Sequence, residues 1–246
     1  MTSFNVDSVQ DFLNRFGYLK LYDRSNQYCA DECPAGRYGT WDEGSQLAFQ
    51  KYQEMNGLPL SVNLLNEGTL LRMCERRCNH PDQPYRIATE PHQQSGYQKW
   101  NKTVLKWKLL NYTPDMNQYE VSQSFNKGFQ MWAAVTPLVF IEALRDEQAD
   151  INITFKKLDS VGNVLAQAWF PPVGRMEFDE SETWSWSLPL QRGQVDLATI
   201  VCHEAGHALG LDHSNVRGAM MAPVYAGPMR YLSNDDIQRI QRLYPR

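Results

Sequence analysis

The sequence predicts an α+β chain in two parts, a small three-helix domain followed by a larger domain of mixed helices and strands. Three features predict it. Apolar residues recur at helical spacing over roughly the first 75 residues, apolar and polar residues alternate beyond about residue 104, and a polar, proline-rich stretch lies between.

In chain order, Val9, Phe12, Leu13 and Phe16 make the first helical stripe. A second helix follows Asp42, where Leu47, Ala48, Lys51, Tyr52 and Met55 lead to an Asn56-Gly57 stop. A third starts near Asn66 and carries Leu70, Leu71 and Cys74. Pro81, Pro84 and Pro91, then Gln93, Gln94 and Ser95, mark residues 79–96 as an exposed connector. Beyond it, Leu105, Trp107 and Leu109 alternate with Lys106 and Lys108 as a half-buried strand, and Val121, Phe125, Phe129 and Trp132 form the core-facing stripe of a helix. Residues 138–141, 151–155 and 165–170 read as further strands. A helix is expected over about 194–209. The last helix opens at Ser233, with Asp236 as its capping-box partner and Ile237, Ile240 and Leu243 on its buried face.

The chain has 246 residues, 42% of them hydrophobic, with a net charge of -4. That composition can bury a sizeable core, and it offers no basic surface for nucleic acid. No apolar run approaches the length that spans a bilayer. The first ten residues lack the charged and apolar regions of a secretory signal, so the protein is either cytosolic or stripped of its leader. Three glycosylation triplets, at Asn101, Asn111 and Asn152, favour the second reading. Cysteine is odd in number, so at least one of Cys29, Cys33, Cys74, Cys78 and Cys202 stays outside intramolecular disulfides.

The chemistry concentrates in His203-Glu204-Ala205-Gly206-His207-Ala208-Leu209-Gly210-Leu211-Asp212-His213. Two histidines four apart share one helix face and can grip one Zn²⁺. Gly210 can take positive φ, stop the helix and turn the chain so that His213 arrives as a third nitrogen ligand. Three protein ligands leave the fourth tetrahedral position open for water, which is the catalytic arrangement. Glu204, beside the first ligand, can accept that water's proton.

This motif resembles the metzincin signature. Met221, eight residues after His213, resembles that group's Met-turn, and Ser214 directly after the third ligand is similar to matrix metalloproteinases. Tyr112-Thr113-Pro114-Asp115, Phe129-Gln130-Met131-Trp132, Val135-Thr136-Pro137-Leu138 and Asp235-Asp236-Ile237-Gln238 resemble matrixin catalytic segments. The resemblance implies a zincin-like catalytic domain over 97–246, with a twisted mixed sheet and the zinc helix. No hemopexin-like repeats follow Arg246, which is similar to the minimal, matrilysin-type layout. It also implies that 1–78 is a helical propeptide and 79–96 the activation segment. Arg76-Arg77-Cys78-Asn79-His80-Pro81-Asp82 resembles the Pro-Arg-Cys-Gly-x-Pro-Asp switch, with Arg76 and Asn79 departing from it. By that resemblance Cys78 is the fourth zinc ligand of the latent form. A rival arrangement staples Cys29-x-x-x-Cys33 to Cys74-x-x-x-Cys78 by two disulfides. A single disulfide from Cys74 to Cys29 or Cys33 is compatible with the switch. Cys202 reads as a small buried hydrophobe.

Matrixins carry a second, structural zinc, which this chain is not expected to bind. Gln167 stands where the family has histidine, Glu177 replaces another ligand, and only five histidines are present. For calcium, the resemblance implies one site from Asp159, Asp179 and Glu182, with carbonyls near Ser160, Gly162 and Val164. It implies a second site from Asp115, Glu180 and Glu182, while Arg175 removes a third. It also implies that the strand around Ala166 pairs with an extended peptide, and that Pro223 and Tyr225 wall the pocket for the residue after the cleaved bond. Thr199 would form that pocket's floor, leaving it open to medium or large apolar residues such as leucine. The expected activity is that of a secreted, monomeric, latent endopeptidase acting on extended or extracellular-matrix proteins. The alternative is a non-catalytic zinc-holding protein of the same fold, against which the retention of Glu204 argues. No Arg-x-(Lys/Arg)-Arg site precedes the catalytic part, so activation is expected from another protease, or from the enzyme itself, cutting within 79–96.

Overall fold

A computed structural model describes residues 5–22, 33–61, 65–82, 99–144 and 146–246. Most of the expected connector, Cys29 and His92 lie outside the described residues. Two compact units are found, one drawn from Met1–Glu75 and His80–Gly96, the other from Arg76–Asn79 and Tyr97–Arg246.

The first unit holds three helices, α1 (Val6–Arg15), α2 (Glu43–Met55) and α3 (Glu67–Met73), with a parallel pair of two-residue strands, β1 (Lys20–Leu21) and β2 (Ala35–Gly36). Each helix starts on a side-chain cap. Asn5, Asp42 and Asn66 accept the N–H of Ser8, Ser45 and Thr69, relieving backbone donors that have no partner within the helix. Val9, Leu13, Phe16, Tyr18, Ala48, Phe49, Tyr52 and Met73 form the core. Leu47 and Leu71 lie in the expected helices but are exposed, and Cys74 ends α3 on the surface. The helical stripe settles instead on Ala48, Phe49 and Tyr52 in α2, and α3 is only seven residues long. Cys33 is in a disulfide, whereas Cys74, Cys78 and Cys202 are not, which removes both the two-disulfide staple and a bridge from Cys74.

The second unit is built on a six-stranded sheet of β3 (Arg77–Cys78), β4 (Val104–Leu109), β5 (Val139–Glu142), β6 (Ile151–Lys156), β7 (Val164–Ala168) and β8 (Arg175–Asp179). Its order is β3-β7-β8-β6-β4-β5, and every pairing is parallel except β7 with β8. A parallel pair, β9 (Thr183–Ser185) with β10 (Gln194–Asp196), lies outside it. Ile151, Ile153 and Phe155 alternate inward along β6 and meet Val121, Phe125, Phe129 and Trp132 of α4 (Gln118–Ala133) in one core. The helix expected from residue 194 begins at residue 197, as α5 (Leu197–Ala208). Residues 194–196 are pulled into the pairing with β9, and the Asp196 carboxylate then caps α5 by accepting the Thr199 N–H. The last helix, α6 (Asn234–Leu243), opens on the expected Ser233–Asp236 capping box.

Gly128 sets the approach of α4 to α5. A Cβ there would lie 2.5 Å from Cγ1 of Val201 and 2.9 Å from the backbone nitrogen of Cys202. The Trp132 indole then donates to the Cys202 carbonyl at 2.8 Å, fixing the turn of α5 that precedes the first metal-type histidine. Among the described residues no helix is long and apolar enough to cross a membrane.

Candidate metal centre and active site

Every residue of α5 is buried, so its His203 and His207 project into a site walled off from bulk water. The helix ends in a Schellman turn. The Leu211 N–H bonds the Gly206 carbonyl and the Gly210 N–H bonds that of His207, both at 2.9 Å, while Gly210 takes φ 104°. That conformation suits a residue without Cβ, and the reversal brings His213 against the other two rings.

The ring tautomers follow from their partners. Nδ1 of His203 lies 2.7 Å from the Met220 carbonyl and Nδ1 of His207 lies 2.6 Å from the Leu211 carbonyl. A carbonyl only accepts, so each Nδ1 carries the proton and each Nε2 keeps its lone pair. The His203 Nε2 lies 3.1 Å from that of His207 and 3.3 Å from that of His213. Lone pairs aimed at one another this closely call for a cation between them, so the donor set fits a metal. Sγ of Cys78 completes the group, and the four ligand atoms lie within 4.8 Å of one another. Two imidazole lone pairs, a third imidazole and a thiol in a closed cluster match the ligand preferences of Zn²⁺.

Met221 is fully buried in the turn beneath the histidines. Asp236, also fully buried, accepts the N–H groups of Met220 at 2.8 Å and Met221 at 3.1 Å, together with the Ser233 N–H and hydroxyl. One carboxylate thus caps α6 and fixes the peptide whose carbonyl orients His203. The capping role was legible in the sequence; the reach to Met220 was not.

Glu204 is fully buried beside Cys78. Burial pushes its carboxyl up to about 8, opposed by the neighbouring Cys78 thiol. Residues 76–79 run as a strand between β7 and 223–225. The Arg77 N–H bonds the Asn163 carbonyl, Cys78 that of Pro223, Asn79 that of Ala166, and the Tyr225 N–H bonds the Arg76 carbonyl, at 2.9–3.0 Å. Ala166, Pro223 and Tyr225 therefore flank one extended segment whose Cys78 meets the histidines. Thr199 lies deeper. Its hydroxyl contacts the Asp196 carboxylate at 2.6 Å and the Met229 backbone at 2.8–3.0 Å. The Arg230 guanidinium pairs with Asp196 at 2.6 Å and lies over the Trp186 ring. The Asp196–Arg230 pair was missed, although an Asp three residues before Thr199 at a helix start was a readable cap.

The acidic residues divide. Burial works against ionisation of Asp179, yet the N–H groups of Ser181, Leu158 and Asp159 hold its carboxyl below the ordinary carboxylate range. Glu182 accepts the Gly162 N–H at 2.5 Å with one oxygen; the other lacks a hydrogen bond and faces Arg76 at 3.3 Å. Asp159 accepts the Val164 N–H at 3.4 Å, so these three carboxylates share one loop. In the second set, Asp115 accepts the Trp184 N–H and Glu180 accepts the Thr113 hydroxyl. Burial raises the Glu180 carboxyl, with Thr113 opposing and the Asp115 and Asp179 carboxylates adding to the rise. Among the described residues, only Cys78 and the three histidines bring ligand atoms as close together as a metal shell requires.

Three imidazoles delivered by a helix, a glycine turn and a returning segment, with a carboxylate beside the first, define a metal centre of the metallopeptidase type. The chain belongs to the matrixins: residues 99–245 match the Matrixin model of the M10 peptidases. It is 34% identical over 259 residues to human (Homo sapiens) neutrophil collagenase, covering 98% of this chain and 50% of that protein. It is 30% identical over 261 residues to matrix metalloproteinase-C of Caenorhabditis elegans, covering 98% and 44%. It is 39% identical over 212 residues to macrophage metalloelastase of Oryctolagus cuniculus, covering 79% and 43%. The chain thus spans about half the length of the curated relatives it matches.

Proposed function

We propose that this chain is a zinc-dependent endopeptidase held latent by its own first third. The observation that carries the proposal is the convergence of Cys78 with His203, His207 and His213 around one point beside Glu204. Zinc bound by the three histidines would supply Lewis acidity, making a water nucleophilic near neutral pH and polarising the scissile carbonyl. The Glu204 carboxylate takes one proton from the attacking water. It returns that proton to the leaving amine nitrogen as the C–N bond breaks. His203 and His207, oriented by the Met220 and Leu211 carbonyls, would hold the metal through their Nε2 lone pairs. In the latent form the Cys78 sulfur would be the fourth ligand in place of the water.

The same segment supports a substrate reading. Residues 76–79 lie as a strand against β7, and a substrate released into that space would pair with the backbone around Ala166. Pro223 and Tyr225 flank the following side chain and Thr199 underlies it, so a leucine-sized residue is expected there. The names of two relatives speak of collagen and elastin. For this chain we propose the broader class of extended extracellular proteins, with the enzyme secreted and monomeric. Calcium at Asp159, Asp179 and Glu182, and at Asp115, Glu180 and Glu182, is part of the proposal, supported by the oxygen-only chemistry of these side chains. A second zinc is not. Glu177 pairs with the Lys156 ammonium at 2.9 Å and accepts the Gln167 amide at 2.6 Å, a cluster in which a cation is already covalently present.

The test is hydrolysis of a quenched Pro-x-x-Leu-type peptide by the whole chain, before and after limited trypsin treatment, with and without a zinc chelator. We expect silence before, activity after, and loss on chelation. Glu204→Gln should lower the trypsin-released rate by about 10²- to 10⁴-fold with zinc content unchanged. A zinc-loaded, trypsin-treated chain that stays silent overturns the reading, and a non-catalytic zinc-holding protein takes its place.

A further inference from the structure

The two positions at which the switch segment departs from its family pattern, Arg76 and Asn79, flank Cys78, and each makes a polar contact of its own. Arg76 sends one guanidinium nitrogen to the Gly193 carbonyl at 3.0 Å and lies 3.3 Å from Glu182. The Glu182 side chain is wholly buried, and the oxygen facing Arg76 has no hydrogen-bond partner. A buried carboxylate without a counter-charge is costly, so the pair is held by that cost as well as by attraction. On the other flank, the Asn79 amide donates to the Gln167 side chain at 2.6 Å. Gln167 donates in turn to Glu177 at 2.6 Å, and Glu177 pairs with Lys156 at 2.9 Å. The departures at Asn79, Gln167 and Glu177 are therefore consecutive links of one chain of hydrogen bonds, running from the switch segment across β7 and β8 to Lys156 on β6.

We propose that Arg76 and Asn79 are positioning residues of the latent state, two polar clamps that hold Cys78 over the metal site from either side. The proposal rests on the latency reading and adds to it that sulfur–metal bonding is not the only hold. Proline at 76 has no guanidinium to offer Glu182, and glycine at 79 has no amide for Gln167. The residues of the usual pattern would therefore deprive Glu182 of the guanidinium and leave the hydrogen-bond chain without its first link.

The test is the alkylation rate of Cys78 by iodoacetamide in the zinc-loaded full chain, read peptide by peptide by mass spectrometry. Exposed Cys74 and buried Cys202 serve as references within the same molecule. Arg76→Pro and Asn79→Gly should each raise the Cys78 rate, by about tenfold and about fivefold, with Cys74 unchanged. Together they should multiply, because the contacts share no group. Arg76→Lys, which keeps a charge, should fall between parent and Arg76→Pro. Glu182→Gln should raise the rate less than Arg76→Pro, because the Gly193 contact remains, and adding it to Arg76→Pro should raise the rate no further, a coupling that general loosening would not give. If Cys78→Ala releases activity while Arg76→Pro and Asn79→Gly leave Cys78 as protected as in the parent, the clamps are overturned and the latency reading stands. If Cys78 of the zinc-loaded parent is alkylated as fast as Cys74, the latency reading fails and the clamps fall with it.

Discussion

Asp236 offers the sharpest test of how the metal site is built, because one carboxylate has two separable consequences. Replacing it with alanine removes the acceptor for the Met220 and Met221 N–H groups, which lie in a fully buried turn, and for the Ser233 N–H and hydroxyl at the start of α6. A buried donor left without a partner costs about 1–3 kcal/mol. Two such donors, with the capping box lost at about 1 kcal/mol, put the destabilisation at about 3–5 kcal/mol once some relaxation of the turn is allowed. That is a large share of an ordinary domain's stability. The second consequence is local. With Met220 unanchored, its carbonyl no longer fixes the His203 ring by the 2.7 Å bond to Nδ1. Loss of such an outer hydrogen bond typically weakens metal binding about 10- to 100-fold.

Urea unfolding of the parent and the Asp236→Ala variant measures the first effect, and competition for zinc with a chromophoric chelator, under conditions where both are folded, measures the second. Asp236→Asn keeps one acceptor oxygen and should fall between them on both scales. A variant that unfolds at the parent's urea concentration would refute the orphaned-donor argument. One that is destabilised yet binds zinc as tightly as the parent would refute the link from Asp236 through Met220 to His203.

Gly128→Ala sets a gain in helix propensity of about 0.8–1 kcal/mol against overpacking of about 1–3 kcal/mol, because the new methyl meets Val201 and the Cys202 backbone. A net loss of stability is expected in urea unfolding, and a stabilised variant would show that α4 and α5 can move apart freely. Burial pushes the Tyr244 phenol from 10.0 up to about 12, opposed by the Trp100 N–H. Its folded pKa is raised, so its contribution is full below pH 10 and is lost as the pH rises toward 12. The stability gap between parent and Tyr244→Phe should narrow across that window, and a constant gap contradicts it. Of the three glycosylation triplets, only Asn101 has an exposed acceptor on a bend with an exposed threonine two residues on. Both ends of the Asn111 amide bond the Phe155 backbone, and Asn152 lies in β6 between two strands. Expression behind a secretory leader, followed by enzymatic deglycosylation and mass spectrometry, should label Asn101 alone; a label at Asn111 or Asn152 refutes the reasoning.

Where a signal was local and periodic, the sequence carried it faithfully into the fold. The stripe from Val121 to Trp132 became α4, the alternation at Leu105–Trp107 became β4, and Ser233 with Asp236 capped α6. The three histidines were legible because their spacing encodes a helix face and a glycine turn, and both are local events. The start of α5 was less legible, because whether residues 194–196 continue a helix or join a strand is settled by β9, a partner that local pattern does not announce. Leu47 and Leu71 are exposed although each has apolar neighbours in its helix, because the packing partner decides which face is covered.

The departures from the family pattern are related to one another through the sheet. Arg76, Asn79, Gln167 and Glu177 each registered singly, as a missing proline, glycine or histidine, and a missing residue suggests only a lost function. Side by side they have a common sense. A histidine-to-glutamine change replaces a metal ligand with a group that can both donate and accept, and that dual capacity lets Gln167 join Asn79 to Glu177. Neither glycine at 79 nor histidine ligated at 167 could make that link. The positions are 88 and 10 residues apart along the chain, so no window of the sequence contains the relation; it exists only because β7 lies beside the switch segment on one edge and β8 on the other. A substitution that looks like decay at one site can thus be half of a contact whose other half is a second apparent loss.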